Sequence, residues 1–241
     1  MNFLSLFAGI GGIDLGLERA GMRCVGQVEI DPFCRRVLAK HWPDVPKFDD
    51  VRTFTKDSIS ERIDLIAGGF PCQDISNAGH KLGLDGARSG LWGEYRRIIR
   101  EVRPRFVLVE NVAALLVRGI DRVLGDLATL GFDAEWSVLS ACALGAPHTR
   151  ERVFIIAHAN GGELRTPRTS KDQAWSTGLH KCCASEAGRV ENWWAMEPEP
   201  CSVAYGLPGI VDQLRPFGNV VVPQVAEFIG RAILAAEGVA S

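Results

Sequence analysis

Phe3-Leu4-Ser5-Leu6-Phe7-Ala8-Gly9-Ile10-Gly11-Gly12 is the stretch on which the fold turns. Its apolar start, 3–7, has the length of a buried strand and runs directly into three glycines. A helical pattern follows at Ile13, Leu15, Leu17 and Ala20, and Gly21 ends it. Glycines after a strand let the backbone approach a ligand, with helix N–H groups close by. The spacing Gly9-x-Gly11-Gly12-x-x-x-Gly16 lacks the GxGxxG register, so phosphate cradling is not specifically supported.

The same alternation continues outward from this unit. A second strand over 23–29 ends in Glu29, and Asp31-Pro32 caps and opens a helix that reaches Trp42. A third strand over 63–67 enters Gly68-Gly69-Phe70-Pro71-Cys72. Residues 73–90 are polar and glycine-rich, long enough for a functional loop. The pattern predicts a helix over 91–102, a strand over 106–109 ending in Glu110-Asn111, and a helix over 120–130. Strands near 132–141 and 152–157 and a last helix over 223–236 complete it. Such alternation predicts a parallel-rich α/β sheet covered on both faces, with ligands at the carboxyl ends of its strands. Glu29, Cys72 and Glu110 all fall just after predicted strands, which points them at one site.

Length and composition bound the rest. The 241 residues suit one good-sized domain plus a small insert. Seven cysteines are an odd number without a CxxC pair, which argues against a disulfide framework and a cysteine zinc site. Reduced thiols in a cytoplasmic setting are the simpler expectation. The N-terminus has no basic start before its apolar run, and no uncharged apolar run reaches membrane-spanning length. Net charge is −2, yet 88–105 hold six arginines against Glu94 and Glu101. That cluster could build a face for a nucleic-acid backbone, or it is a solvated helix face. From 158 to 205 the periodicity dissolves into an irregular insert containing Trp175, Trp193 and Trp194.

Taken one by one, the candidate groups keep two readings each. A cysteine at a strand end, beside a rigid proline and flexible glycines, is aimed outward, and a thiolate is a nucleophile. A buried structural cysteine is the alternative, and it suits Cys24 and Cys142 within apolar strands better than Cys72. Glu29 fits a carboxylate gripping ribose hydroxyls, or a plain loop acid. Glu110 fits an acid/base or a helix-cap partner. Arg150 and Arg152, at the mouth of an apolar strand, fit an anion or carbonyl site, or edge protection.

Together the pieces closely resemble the DNA (cytosine-5) methyltransferases. The resemblance is carried by Phe7-Ala8-Gly9-Ile10-Gly11-Gly12, Gly69-Phe70-Pro71-Cys72-Gln73, Glu110-Asn111-Val112, Arg150-x-Arg152 and Gly218-Asn219-x-Val221-Val222-Pro223, in that order. It covers about 1–157 and 206–238 and marks a compact member of phage or bacterial type. It implies a Rossmann-like sheet with helices on both faces: 1–157 as the catalytic domain binding S-adenosyl-L-methionine (AdoMet), 158–205 as a short target-recognition region, and 206–241 folding back onto the catalytic domain.

The resemblance also implies roles. Phe7, Gly9, Gly11 and Gly12 would wrap AdoMet, Glu29 would hold its ribose and Ile30 would pack on its adenine. Asp50 and Val51 would meet the adenine edge, and Asn219 and Val220 would close the pocket. Cys72 would be the nucleophile, with Glu110, Arg150 and Arg152 completing the catalytic set and no metal required. Pro71, Gln73, Ser76, Arg88, Asn111 and His148 would meet double-stranded DNA around a flipped cytosine. A cytoplasmic, nucleoid-associated monomer, with or without a cognate restriction endonuclease, is the setting this implies. His148 replaces the family's usual glutamine, Ser5 stands where many members carry aspartate, and the recognition region is short. Two alternatives remain at this level: an RNA (tRNA) cytosine-5 methyltransferase, and a catalytically weak DNA-binding regulator.

Overall fold

A computed structural model describes residues 1–71, 91–146, 149–159 and 220–237. The first strand, β1 (Asn2–Leu6), is buried beyond Asn2, with apolar Phe3, Leu4 and Leu6 and a buried Ser5. It passes through the glycine turn into α1 (Gly12–Arg19), then β2 (Arg23–Val28), α2 (Pro32–His41) and a short edge strand β3 (Lys47–Phe48). Next come β4 (Leu65–Gly69), α3 (Leu91–Val102), β5 (Phe106–Val112), a single turn α4 (Leu115–Arg118) and α5 (Ile120–Thr129). β6 (Phe132–Ser140), β7 (Glu151–Ala159) and α6 (Pro223–Ala236) complete the described chain.

The seven strands form one sheet in the order β3-β2-β1-β4-β5-β7-β6. The pairs from β3 through β5 are parallel, whereas β7 runs antiparallel to both β5 and β6. The sheet is therefore mixed, with an antiparallel end that the alternation of elements did not reveal. Between β1 and β4 the direction of winding reverses, which opens a crevice at the carboxyl ends of these strands.

Apolar layers cover both faces. One packs Leu4, Ile66, Val107 and Ile155 against Trp92, Tyr95 and Ile99 of α3 and Leu127 of α5. The other packs Phe3, Leu65, Leu108 and Phe154 against Leu17 of α1 and Ile229 and Ile233 of α6. Here α6 settles against α1 at small residues. A Cβ on Gly16 would lie 2.3 Å from the Pro223 carbonyl oxygen, and one on Gly12 2.4 Å from that of Val221. Two glycines on α1 thus admit the backbone of the C-terminal segment.

The caps follow the sequence. Asp31 accepts hydrogen bonds from the N–H groups of Phe33 (2.7 Å) and Cys34 (3.3 Å), with Pro32 at the first helical position. One reading needs correction. Cys142 is exposed rather than buried, because the chain leaves β6 at Ser140 and turns through a short 3₁₀ segment, Ala141–Leu144. The arginines of α3 and its C-terminal flank are largely tied to the protein itself. Arg96 pairs with Asp126, Arg97 with Glu94 and Glu101, and Arg105 with Glu237. Charge spent on internal partners leaves a weaker face for a polyanion than the raw count suggested.

Candidate active site

The crevice between β1 and β4 is lined first by the glycine turn. Phe7 and Gly9 have left-handed backbones (φ 54° and 57°), and Gly11 follows at φ 90° as the N-cap of α1. For Phe7 that conformation carries strain, held by its ring stacking on Tyr95 at 6.2 Å. A Cβ on Gly9 would meet nothing within 4 Å, so open space lies beside the loop there.

Glu29, at the end of β2, is fixed from two sides. One carboxylate oxygen accepts from the Gly9 N–H at 2.7 Å and the other from the Asp31 N–H at 2.8 Å. Burial raises its pKa, and the two N–H groups oppose that rise. Each oxygen keeps a lone pair for a further donor. Ile30 beside it is 63% exposed, an apolar surface with nothing of its own to pack on. The turn after β3 brings Asp50, whose carboxylate is held by Arg52 and so kept ionised, and Val51, which is buried. Val220 lies over Gly12 from the C-terminal side. A carboxylate poised for hydroxyl groups, an exposed apolar side chain and an open glycine turn fit a nucleoside-bearing ligand.

A second group of residues lies along β4, β5 and β7. Glu110 sits opposite Gly69 on one side and Phe154 on the other. Its carboxylate lies 3.1 Å from Nε of Arg152. Burial raises its pKa from 4.5 to about 7, although Arg152 and Arg150 pull the other way. Arg150 is half-buried just before β7, and burial followed by the charge of Arg152 lowers its pKa. Next to this pair, Asn111 is 2% exposed. Its amide donates to the Phe70 carbonyl at 3.1 Å, which anchors the backbone as it leaves β4 for Pro71. Asn111, expected beside the DNA, is thus placed beneath the strand-to-loop turn.

Phe7, Gly9, Gly11, Gly12, Glu29 and Ile30 therefore lie at the carboxyl ends of β1 and β2, with Val220 against Gly12 and with Asp50 and Val51 just after β3. Pro71, Glu110, Asn111, Arg150 and Arg152 gather at or near the ends of β4, β5 and β7. Cys72, Gln73, Ser76, Arg88, His148 and Asn219 lie outside the described residues. Sequence reasoning missed a buried polar cluster under α1. The Asp14 carboxylate accepts from Ser5 Oγ at 2.9 Å and Gln27 Nε2 at 2.8 Å, tying α1 to β1 and β2. The available signal was three polar residues at core-facing positions of apolar elements.

A mixed sheet wound outward from a crevice, with a carboxylate after β2 and a glycine turn after β1, is the fold of the AdoMet-dependent methyltransferases. Solved structures agree. A prophage-encoded E. coli protein described as a DNA modification methyltransferase is 29% identical, with a TM-score of 0.57 over 66% of this chain and 47% of its own. S. pombe Dnmt2, at 22% identity, shares the fold with a TM-score of 0.58 over 71% of this chain and 54% of its own. Residues 1–187 match the model of the C-5 cytosine-specific DNA methylases, and the chain belongs to that family. Type II methyltransferase M2.BsuMI of Bacillus subtilis (strain 168) is 37% identical over 165 residues, 65% of this chain and 42% of its own length. Type II methyltransferase M.AquIA of Picosynechococcus sp. is 33% identical over 186 residues, 69% of this chain and 75% of its own. The chain thus spans less than half of the first relative and three quarters of the second.

Proposed function

We propose that this chain methylates C5 of a flipped cytosine in duplex DNA, with Cys72 as nucleophile and AdoMet as donor. The observation that carries the reading is the Glu110–Arg152 pair, set one strand from the β4 exit that leads to Cys72. Glu29 would take the ribose hydroxyls, Ile30 the adenine face, Asp50 and Val51 its edge, and Phe7 with Gly9, Gly11, Gly12, Asn219 and Val220 the remaining wall. AdoMet supplies an electrophilic methyl group, which suits a carbon that has been made electron-rich.

The chain's residues would make it so. The Cys72 thiolate adds to C6, and the C5–C6 double-bond electrons move onto C5 and the ring. Protonated Glu110 donates toward N3, where charge builds, and Arg152 donates to O2. Arg150 supports Arg152 from the buried side. After methylation the C5 proton passes to solvent, the C6–S bond breaks, and the Cys72 thiolate is restored. A thiolate cannot reach C6 inside a duplex, so the base must leave the stack at a cost of a few kcal/mol. Pro71, Gln73, Ser76, Arg88 and His148 are assigned to hold it, and 158–205 to read the target. The names of the relatives make a companion restriction endonuclease a natural partner for the gene product.

The test uses radiolabelled AdoMet with duplex DNA, tRNA and a duplex carrying 5-fluorocytosine. Duplex labelling and a covalent complex with the fluorinated strand, both absent in Cys72→Ala, are expected. Labelling confined to tRNA would move the substrate to RNA. AdoMet binding without labelling or trapping would leave a DNA-binding regulator.

A further inference from the structure

Arg97, in the middle of α3, belongs to an arginine cluster that DNA binding did not absorb. Its guanidinium spans two elements. Nη2 donates to the carbonyl oxygens of Val51 and Phe54, both at 2.9 Å. Nε donates to Glu94 at 2.7 Å and Nη1 to Glu101 at 2.8 Å. The two glutamates, one turn before and one turn after it on α3, aim the planar fork at the 50–54 turn. Within that turn the Thr53 and Phe54 N–H groups and Thr53 Oγ1 bond back to the Asp50 carbonyl, and Arg52 donates from its backbone N–H and guanidinium to the Asp50 carboxylate. Arg96 next to it does something different, pairing with Asp126 of α5 across the surface.

We propose that Arg97 is a positioning residue for recognition of the adenine edge. By holding the carbonyls at 51 and 54, it fixes the turn that presents the Asp50 carboxylate and the Val51 N–H to the donor. The inference rests on the AdoMet-pocket reading above. Adenine offers a 6-amino donor and an N1 acceptor, the complement of a carboxylate and an N–H. Hypoxanthine offers the reverse, a 6-oxo acceptor and an N1–H donor. A turn held in register discriminates between them, because the wrong base leaves polar groups unpaired. Lysine at 97 keeps the charge but brings one point of donors, and it cannot bridge two carbonyls and two carboxylates together.

The experiment measures binding of S-adenosylhomocysteine and S-inosylhomocysteine to the full chain by calorimetry, alongside thermal midpoints. The variants are Arg97→Lys, Arg97→Ala and, as control, Arg96→Ala. The wild type should prefer the adenosyl ligand. In Arg97→Lys that preference should fall about tenfold, the scale of one or two lost hydrogen bonds, while Arg96→Ala keeps it. An unchanged preference in Arg97→Lys overturns the proposal. So does an equal loss of affinity for both ligands, which would make Arg97 a stability residue only. A wild type that binds both ligands alike also overturns it, and leaves the donor pocket standing. A wild type that binds neither sinks the pocket itself, and this inference with it.

Discussion

Arg152 on β7 places its Nε 3.1 Å from a Glu110 oxygen on β5, although the two residues are not opposite each other in the sheet. Arg152 pairs in register with Val112, and Glu110 with Phe154, so the contact is a diagonal one. The diagonal keeps a buried carboxylate close to a cation without closing it into a fully neutralised pair. Its pKa near 7 reflects that balance between burial and charge.

The rate should therefore carry the titration of Glu110. In the proposed mechanism the protonated form is the donor, and it is lost as pH rises through about 7. The kcat/KM for DNA is expected to fall on that alkaline side. Glu110→Gln should remove this limb and lower kcat about 100-fold or more. A pH–rate profile of the two proteins decides it, and a limb that survives in Glu110→Gln would assign it to another group.

Gly69 protects the same contact. A Cβ there would lie 2.3 Å from the other Glu110 oxygen. Gly69→Ala should cost about 1–3 kcal/mol of stability through overpacking. It should also reduce trapping on 5-fluorocytosine more than about tenfold, the effect of displacing an electrostatic group. Donor affinity, assigned to residues after β1, β2 and β3, should stay near the wild-type value.

The buried Asp14 gives stability a pH dependence of its own. Burial raises its pKa from 3.8 to about 6, against the hydrogen bonds from Gln27 and Ser5. A raised carboxyl pKa means the folded state binds more protons than the unfolded one between these values. Its contribution is therefore full below about pH 4 and is lost as pH rises through 6, on the order of 3 kcal/mol in total. Glu18 raises the pKa further, and the Cys24 thiol lies 3.8 Å away. Urea unfolding from pH 4.5 to 8 should show a flatter slope in Asp14→Asn than in the wild type.

Helix glycines should sort by what faces them. Gly16→Ala would push a methyl group into the Pro223 carbonyl and the Ala226 side chain, and should cost about 1–3 kcal/mol. Gly125 on α5 faces open space, so Gly125→Ala should stabilise by about 0.5–1 kcal/mol through helix propensity. Denaturant midpoints that move the same way for both would refute the packing of α6 on α1.

Glu29 should matter most to the donor. In Glu29→Gln an amide NH₂ replaces one acceptor, and either the Gly9 or the Asp31 N–H loses its partner. The Kd for AdoMet should rise about tenfold or more. Equilibrium binding at constant salt measures it.

Much of the sheet was legible because periodicity and punctuation agree. The strand at 106–109 was placed correctly at its start but continues to Val112, since Glu110 and Asn111 are polar yet buried. A reading by hydropathy ends a strand where polarity begins, and here the candidate site residues are still inside it. The same cause hid Ser5, Asp14 and Gln27, whose polarity is answered by each other across three elements.

By itself the sequence determined the order of the main strands and helices, though not the edge strand β3 or the turn α4, together with the glycine turn after β1 and the residue types that could carry methyl transfer. These depend on local chemistry: apolar period, capping side chains, and glycines where backbone must come close. Only the tertiary structure decided the antiparallel end of the sheet, the diagonal Arg152–Glu110 contact, and the turn of Arg97 inward onto Val51 and Phe54. Those relationships join residues from different elements, and register and burial, which no local pattern encodes, set which side chains meet.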